Sequence, residues 1–129
     1  MTVITLKGRV FTGGGEGTTY TSLSWVRKQF QEKLGFQTYP GTLNIRLSEA
    51  NKEIRLLRNS RGVEIEPPDG FYRGRCFKAL IMGQINGAIV VPDVSKYSSD
   101  VLEIVAPVNL RRKFDLIDGD EIVLDALLE

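Results

Sequence analysis

Histidine is absent from the 129 residues of this chain, and cysteine occurs once, as Cys76. The absence of histidine excludes Ser–His–Asp triads, histidine-ligated zinc and acid–base catalysis by imidazole. A single cysteine cannot form a disulfide within the chain. The absence of an internal disulfide is typical of proteins in a reducing compartment. Any catalytic site in this chain must therefore work without imidazole.

Neither sign of charge is in excess, since 17 Lys and Arg residues stand against 16 Asp and Glu residues. This balance argues against a chain built mainly to hold nucleic acid or an anionic membrane, although a local basic patch is compatible with it. No apolar run approaches the ~20 residues that span a bilayer, and the first residues lack a signal-peptide pattern. We therefore expect a soluble, cytoplasmic protein. Hydrophobic residues make up 42% of the chain, enough for one domain with a core over residues 1–129.

Short β-strand patterns separated by turn residues run through most of the chain. Polar and apolar residues alternate from Thr42 to Leu47, and Ala88 to Val91 is a continuous apolar run. Asn86-Gly87 lies before that run and predicts a hairpin turn. Ser48 to Gly70 is rich in charge, and we predict weak strands and loops there.

One amphipathic helix is predicted between the early strands. Ser22 or Ser24 can cap its start, and Gly35 suits its end. Its apolar residues recur every four positions, at Val26, Phe30 and Leu34. Many short strands with one helix indicate a mainly β fold, all-β in class, and a closed or nearly closed barrel.

A glycine-dense stretch from Gly13 to Thr19 is the first candidate for chemistry. Successive glycines let backbone N–H groups converge on phosphate oxygens, because no Cβ blocks the approach. The stretch is followed neither by the Gly-Lys-Ser/Thr of a Walker loop nor by a βαβ unit. A flexible connection between a strand and a helix explains the same residues equally well.

Thr42 and Asn44 project to the same side of a predicted strand. Two neutral oxygen ligands hold Mg²⁺ poorly, so the metal would have to arrive with a polyphosphate that supplies negative charge. An ordinary solvent-facing strand edge is the simpler interpretation of this pair taken alone.

Two later segments carry polar groups that could bind a ligand. Ser95 to Glu103 combines serine hydroxyls with a carboxylate among apolar neighbours, which could hold a polyol or could be a loop and the outer face of a strand. Asn109 to Lys113 contains three adjacent cations, which could meet phosphate or form a solvated face.

Taken in order, these segments resemble the archaeal CTP-dependent riboflavin kinases. The matching stretches are GRVFTGGGEGTTY, LGFQTYPGTLNI, NGAIVVPDVSKYSSDVLEIVAP and NLRRKFDLIDGDEIV. The resemblance implies a six-stranded cradle-loop β-barrel and the reaction of CTP with riboflavin to give CDP and FMN, with Mg²⁺ as the cofactor. It implies no nucleic-acid or membrane partner and leaves the oligomeric state open, a monomer included.

The resemblance also implies roles for individual residues. Thr42 and Asn44 match the family's magnesium ligands, while Ser95 and Glu103 match flavin-contacting positions. We expect Glu103 to orient, and to deprotonate, the ribityl 5′-hydroxyl. The positions that match nucleotide-binding segments are Gly14, Gly15, Glu16, Gly17, Thr18 and Thr19, followed later by Val108, Asn109, Leu110 and Arg111.

Two other classes of protein are compatible with a small barrel. One is a non-catalytic regulatory domain that senses a flavin or a nucleotide. The other is a DNA-binding barrel, which calls for a basic face that the net charge of +1 does not favour.

Overall fold

The computed structural model describes residues 2–47, 52–68, 74–92 and 100–128. The strands are β1 (Thr2–Phe11), β2 (Leu43–Leu47), β3 (Val63–Ile65), β4 (Gly74–Ile81), β5 (Ile85–Pro92), β6 (Val101–Val105) and β7 (Glu121–Leu128). The helices are α1 (Glu16–Ser22), α2 (Ser24–Gln29), α3 (Lys52–Asn59) and α4 (Leu110–Lys113), and a π-helical segment covers Phe30–Leu34. No helix in these ranges is long and apolar enough to cross a membrane.

Six strands close into an antiparallel barrel in the order β4–β5–β6–β2–β1–β7, and β7 pairs with β4 to complete it. The closing contact joins Ala79, Leu80 and Ile81 to Ala126, Asp125 and Leu124. β3 adds a short seventh strand to the outer edge of β4. This architecture confirms the predicted six-stranded barrel.

The barrel interior is filled by the alternate residues of its strands. In β1, Ile4, Leu6 and Val10 point inward, while Thr5, Lys7 and Arg9 between them are exposed, as the period of two requires. Removing an aliphatic side chain of this kind from water stabilises the fold by about 1.5–3 kcal/mol. Further strand residues of the interior with no more than 1% exposure are Ile45, Phe77, Ile81, Ile89, Ile104, Ile122, Leu124 and Ala126.

A second apolar cluster lies between the helical segment and the outer face of the barrel. Val26, Phe30 and Leu34 are buried, as their spacing predicts, and they pack with residues of β3 to β6 such as Val90 and Val105. Gly35 ends the segment with a φ of 86°, a conformation that glycine adopts without strain.

The helix itself differs from the prediction, because it is broken at Leu23. Leu23 has extended backbone, with φ −65° and ψ 132°, and separates α1 from α2. Neither predicted serine caps a helix through its side chain. Ser22 instead donates a hydrogen bond to Thr18 O at 2.6 Å, and the Leu23 side chain packs into the second cluster.

The prediction of strands and loops from Ser48 to Gly70 is wrong in its first part, where α3 is a helix. Ile54 and Leu57, three residues apart, share one face and are buried against the barrel core. The charged residues that suggested a loop lie around that narrow apolar face. Residues 48–51 and 69–73 lie outside the described ranges.

The predicted hairpin turn at Asn86-Gly87 is also wrong. Both residues lie within β5, where Asn86 pairs with Leu80 and Gly87 with Ala79. The chain turns at residues 82–84 instead, with Met82 and Gly83 at φ 53° and 68°. A Cβ at Gly87 would overlap Val105 O, so this glycine serves a close approach of two strands.

Candidate functional site

A pocket of about 230 Å³ lies beside β2 and β6. Four stretches of chain meet around it, including the first turn of α1 and the turn that precedes β2. The lining residues are Gly15, Gly17, Thr18, Tyr39, Pro40, Gly41, Thr42, Leu43, Asn44, Glu103, Ile104, Ala106, Val108, Asn109, Leu110 and Arg111. Most of the residues predicted from the sequence therefore surround one cavity.

Thr42, Asn44 and Glu103 form the polar corner of the pocket. Asn44 on β2 pairs directly with Glu103 on β6, so their side chains leave the sheet on the same face. Thr42 lies two residues before Asn44, and its Oγ1 donates a hydrogen bond to Glu103 Oε1 at 3.1 Å. The sheet register thus brings together three residues that the sequence separates by up to 61 positions.

The polar corner has the ligand chemistry that a hard cation requires. Asn44 Oδ1 is buried without a hydrogen-bond partner, although a buried acceptor is normally satisfied. A hydroxyl, an amide oxygen and one carboxylate suit Mg²⁺, but they supply a single negative charge. The described ranges contain no group of three or more acidic, cysteine or histidine side chains suited to a metal. A cation at this corner would therefore need further oxygen ligands and negative charge from a bound anion.

The first turn of α1 packs directly against this corner. Gly15 precedes the helix with a φ of 89°, and a Cβ there would meet no atom within 4 Å. A Cβ on Gly17 would overlap Thr42 Oγ1 and would lie 2.9 Å from Thr42 Cβ. Only glycine at this position lets the helix approach Thr42 so closely.

Arg111 in α4 lines the pocket and forms an ion pair with Asp118. Its Nη2 lies 2.8 Å from Asp118 Oδ1 and donates a weaker bond of 3.3 Å to Phe11 O. Thr12 Oγ1 donates to Asp118 Oδ2 at 2.8 Å. Hydrogen bonds from Arg111 and then Thr12 lower the pKa of Asp118. The guanidinium is thus held at the pocket edge by a carboxylate that remains ionised.

Asn109 uses its side chain to begin α4. Its Oδ1 accepts a hydrogen bond from the Arg112 N–H at 3.1 Å, which is the usual role of an N-cap. The Oδ1 acceptor of Asn109 is thereby occupied, while backbone groups of residues 108–111 and the Arg111 side chain line the pocket.

Some predicted site residues are not part of the lining. Gly14 and Thr19 are exposed and do not line the pocket, and Glu16 contributes the backbone that starts α1. Ser95 lies outside the described residues. The roles predicted for all of these positions stay predictions.

Several lining residues were missed by the sequence prediction. Tyr39, Pro40, Gly41 and Ala106 line the pocket, although none of them was assigned to a site from the sequence. The Tyr39 N–H donates to Ala106 O at 2.7 Å, which ties this turn to the chain after β6. The alternating pattern that starts at Thr42 was the available signal, because it places the preceding turn next to the polar corner.

Two buried groups lie on the same outer face as Glu103. The Tyr20 hydroxyl is buried without a partner, and a Cβ on Gly74 would lie 3.1 Å from it. Burial raises the pKa of Tyr20, so the phenol is neutral at physiological pH. Burial also raises the pKa of Cys76 to about 12, which keeps this thiol protonated.

Comparison with known proteins gives a consistent result. The family model named CTP-dep_RFKase, described as "Domain of unknown function DUF120", matches residues 10–126. A riboflavin kinase of Archaeoglobus fulgidus is 45% identical over 130 residues, which cover 97% of this chain and 55% of that protein. A riboflavin kinase of Methanosarcina barkeri is 42% identical over 95% of this chain and 56% of that protein. A riboflavin kinase of Pyrobaculum aerophilum is also 42% identical, over 97% of this chain and 61% of that protein. The chain thus spans somewhat more than half the length of these curated relatives.

Proposed function

This chain belongs to the archaeal CTP-dependent riboflavin kinase family, and we propose that it transfers the γ-phosphate of CTP to the ribityl 5′-hydroxyl of riboflavin. The products are CDP and FMN. The convergence of Thr42, Asn44 and Glu103 in one pocket is the observation that carries this proposal. In this proposal the corner provides ligands for a cation and a carboxylate for the acceptor hydroxyl at one reacting centre.

The nucleotide phosphates lie, in this proposal, between the first turn of α1 and Arg111. Gly15 and Gly17 allow the phosphates to approach the backbone closely, and Arg111 supplies a fixed positive charge at the other side. The Asp118 partner holds the guanidinium at the edge of the pocket before substrate arrives. Phosphoryl transfer depends mainly on such positioning and on charge neutralisation.

Thr42 Oγ1 and Asn44 Oδ1 are the proposed magnesium ligands. The unsatisfied Asn44 oxygen supports this assignment, because a bound cation would give it a partner. When bound, Mg²⁺ would neutralise the charge that develops on the phosphate oxygens.

Glu103 acts on the acceptor alcohol in this mechanism. The carboxylate accepts a hydrogen bond from the 5′-hydroxyl, orients its oxygen toward the γ-phosphorus and takes its proton as the new P–O bond forms and CDP leaves. A loose transition state asks little of the base, so an ordinary carboxylate suffices. Its hydrogen bond from Thr42 fixes the orientation of the side chain.

Preference for cytosine is assigned to the backbone of residues 108–111. The Asn109 Oδ1 acceptor is occupied by the cap of α4, and in this proposal the main-chain donors and acceptors of the segment recognise the edge of the base. Equal rates with CTP and ATP would contradict this assignment.

The decisive experiment is a product assay. Purified protein is incubated with riboflavin, Mg²⁺ and either CTP or ATP, and FMN is separated by chromatography. We expect FMN with CTP, much less with ATP and none after chelation of the metal. No FMN with either nucleotide, from folded protein that still binds riboflavin and CTP, would instead support a flavin- or nucleotide-sensing domain.

Substitution of Glu103 by Gln tests the role of the carboxylate. The change keeps the size of the side chain but removes the base, and we expect kcat to fall about 10²-fold or more. Glu32→Gln is the matched control, because Glu32 is exposed on the π-helical segment away from the pocket lining. Wild-type turnover in Glu103→Gln would reduce Glu103 to a binding role.

A further inference from the structure

Thr21 is the one buried polar or charged residue in the part of the chain that the structure describes, with 3% of its surface exposed. Its hydroxyl donates a hydrogen bond to Gly17 O at 2.9 Å and accepts one from the Gly41 N–H, also at 2.9 Å. The first bond lies within α1. The second crosses to the turn before β2, 20 residues later in the chain.

These two bonds join two adjacent stretches of the pocket lining, the first turn of α1 and the turn before β2. Gly17 is the residue whose Cα packs against Thr42, and Gly41 is the residue that immediately precedes Thr42. Gly41 has a φ of 104°, so its N–H direction depends on a backbone conformation that other residues rarely adopt. The Thr21 hydroxyl therefore ties the carbonyl of one neighbour of Thr42 to the amide of the other.

A bound nucleotide that contacts both the α1 turn and Thr42 requires a fixed separation between them. Misplacement by about 1 Å of a group that positions a reaction can reduce its rate about 10²-fold. The contact of Gly17 with Thr42 prevents closer approach, but van der Waals contact does not prevent separation. A hydrogen-bonded bridge does, and its loss leaves the Gly41 N–H without its partner near the pocket.

We propose that Thr21 is a positioning residue, which sets the distance between the α1 turn and Thr42 for binding of the magnesium–nucleotide complex. It touches no ligand itself and acts through the backbone of Gly17 and Gly41. This inference rests on the proposed function. It adds a residue that neither the glycine-rich motif nor the polar corner includes.

The test compares Thr21→Val, which removes the hydroxyl at nearly constant volume, with Thr21→Ser, which keeps it. Ser22→Ala is the matched control, because the Ser22 hydroxyl also bonds to the α1 backbone, at Thr18 O, but is exposed. Calorimetric titration with CTP in the presence of Mg²⁺ gives the dissociation constant of each protein. We expect Thr21→Val to weaken binding about tenfold or more, with Thr21→Ser and Ser22→Ala within about threefold of wild type.

Two further measurements separate positioning from general loss of structure. In steady-state kinetics, Thr21→Val should raise the KM for CTP while leaving the KM for riboflavin unchanged, whereas partial unfolding lowers kcat alone. In ligand-free protein, amide hydrogen exchange at Gly41 should be faster in Thr21→Val than in wild type or Thr21→Ser. If Thr21→Val does not fold, Thr21→Ala, which leaves space rather than a buried methyl, is measured by the same criteria.

The outcomes distinguish this inference from the proposed function. Wild-type protein that binds no CTP with Mg²⁺ overturns both. Wild-type protein that binds CTP while Thr21→Val binds equally tightly overturns the role of Thr21 alone. Weakened binding that Thr21→Ser does not restore also overturns it, because the hydroxyl would then not be responsible.

Discussion

Replacement of Gly17 by Ala is the sharpest single test of the pocket geometry. The new methyl group would overlap Thr42 Oγ1 and lie 2.9 Å from Thr42 Cβ and Cγ2. The Thr42 Cβ is fixed by its own backbone, so the α1 turn or the start of β2 has to move. The Thr42 hydroxyl would then lose its 3.1 Å hydrogen bond to Glu103.

Two opposing terms determine the effect on stability. Gly17 lies in α1, where Ala is favoured over Gly by up to about 1 kcal/mol. Overpacking against Thr42 costs about 1–3 kcal/mol. The free energy of unfolding should therefore fall by about 0–3 kcal/mol, which leaves the protein folded at 25 °C. Binding should suffer more, and we expect the affinity for CTP with Mg²⁺ to fall at least about tenfold.

The assay pairs thermal unfolding with calorimetric titration of CTP. Gly83→Ala is the control, since Gly83 lies in the β4–β5 turn with a φ of 68° and open space around it. That change should cost about 1–2 kcal/mol through backbone strain and leave CTP affinity unchanged. It therefore shows what a comparable loss of stability does by itself.

The reasoning would be refuted by a Gly17→Ala protein that binds CTP as tightly as wild type. A double-mutant cycle with Thr42→Ala checks the contact independently of binding. Thr42→Ala removes Oγ1 and Cγ2, so Gly17→Ala should cost about 1 kcal/mol less stability in that background. Additive effects on stability would mean that Gly17 and Thr42 are not in contact.

Three further predictions concern groups outside the polar corner. Hydrogen bonds from Arg111 and Thr12 lower the pKa of Asp118 in the folded protein. The contribution of this carboxylate to stability is therefore present above its ordinary pKa of 3.8 and is lost as the pH falls through the pKa of the folded state. In Asp118→Asn, the melting temperature should fall less on acidification than it does in wild type. Cys76, whose pKa burial raises to about 12, should not react with a thiol reagent at pH 8 until denaturant is added, and rapid labelling of native protein would contradict its burial. Phe30→Ala should lower the free energy of unfolding by about 3–5 kcal/mol in a urea titration, since Phe30 is 0% exposed.

The fold was predictable from the sequence as far as local patterns determine it. The alternation after Thr42 and the four-residue spacing of Val26, Phe30 and Leu34 give their buried faces correctly. The closure of β4 onto β7 has no local pattern, because it pairs residues about 45 positions apart. The resemblance to a known family supplied that part.

The errors in the fold have particular causes. Asn86-Gly87 has the composition of a tight turn, but its glycine is required by the carbonyl of Val105 on the neighbouring strand. The α3 helix escaped prediction because only Ile54 and Leu57 mark its apolar face among charged residues. In both places a tertiary contact outweighs the local signal.

The polar corner was only half visible in the sequence. The spacing of Thr42 and Asn44 places both on one face, but their meeting with Glu103 depends on the register of β2 against β6. Thr21 carries no signal in the sequence, because one threonine in a helix resembles any other. Its importance comes from the Gly41 amide, which only the folded chain brings within reach.

The register of β2 against β6 also determines which changes in chain length this protein can tolerate during evolution. Asn44, Glu103 and Val90 lie side by side across three strands. Insertion of one residue early in β6 would turn Glu103 toward the apolar interior and bring Leu102 to the pocket. Loops between the strands can lengthen or shorten without that consequence. We therefore expect related chains to differ in length between their strands, while the number of residues from the start of β6 to Glu103 stays the same.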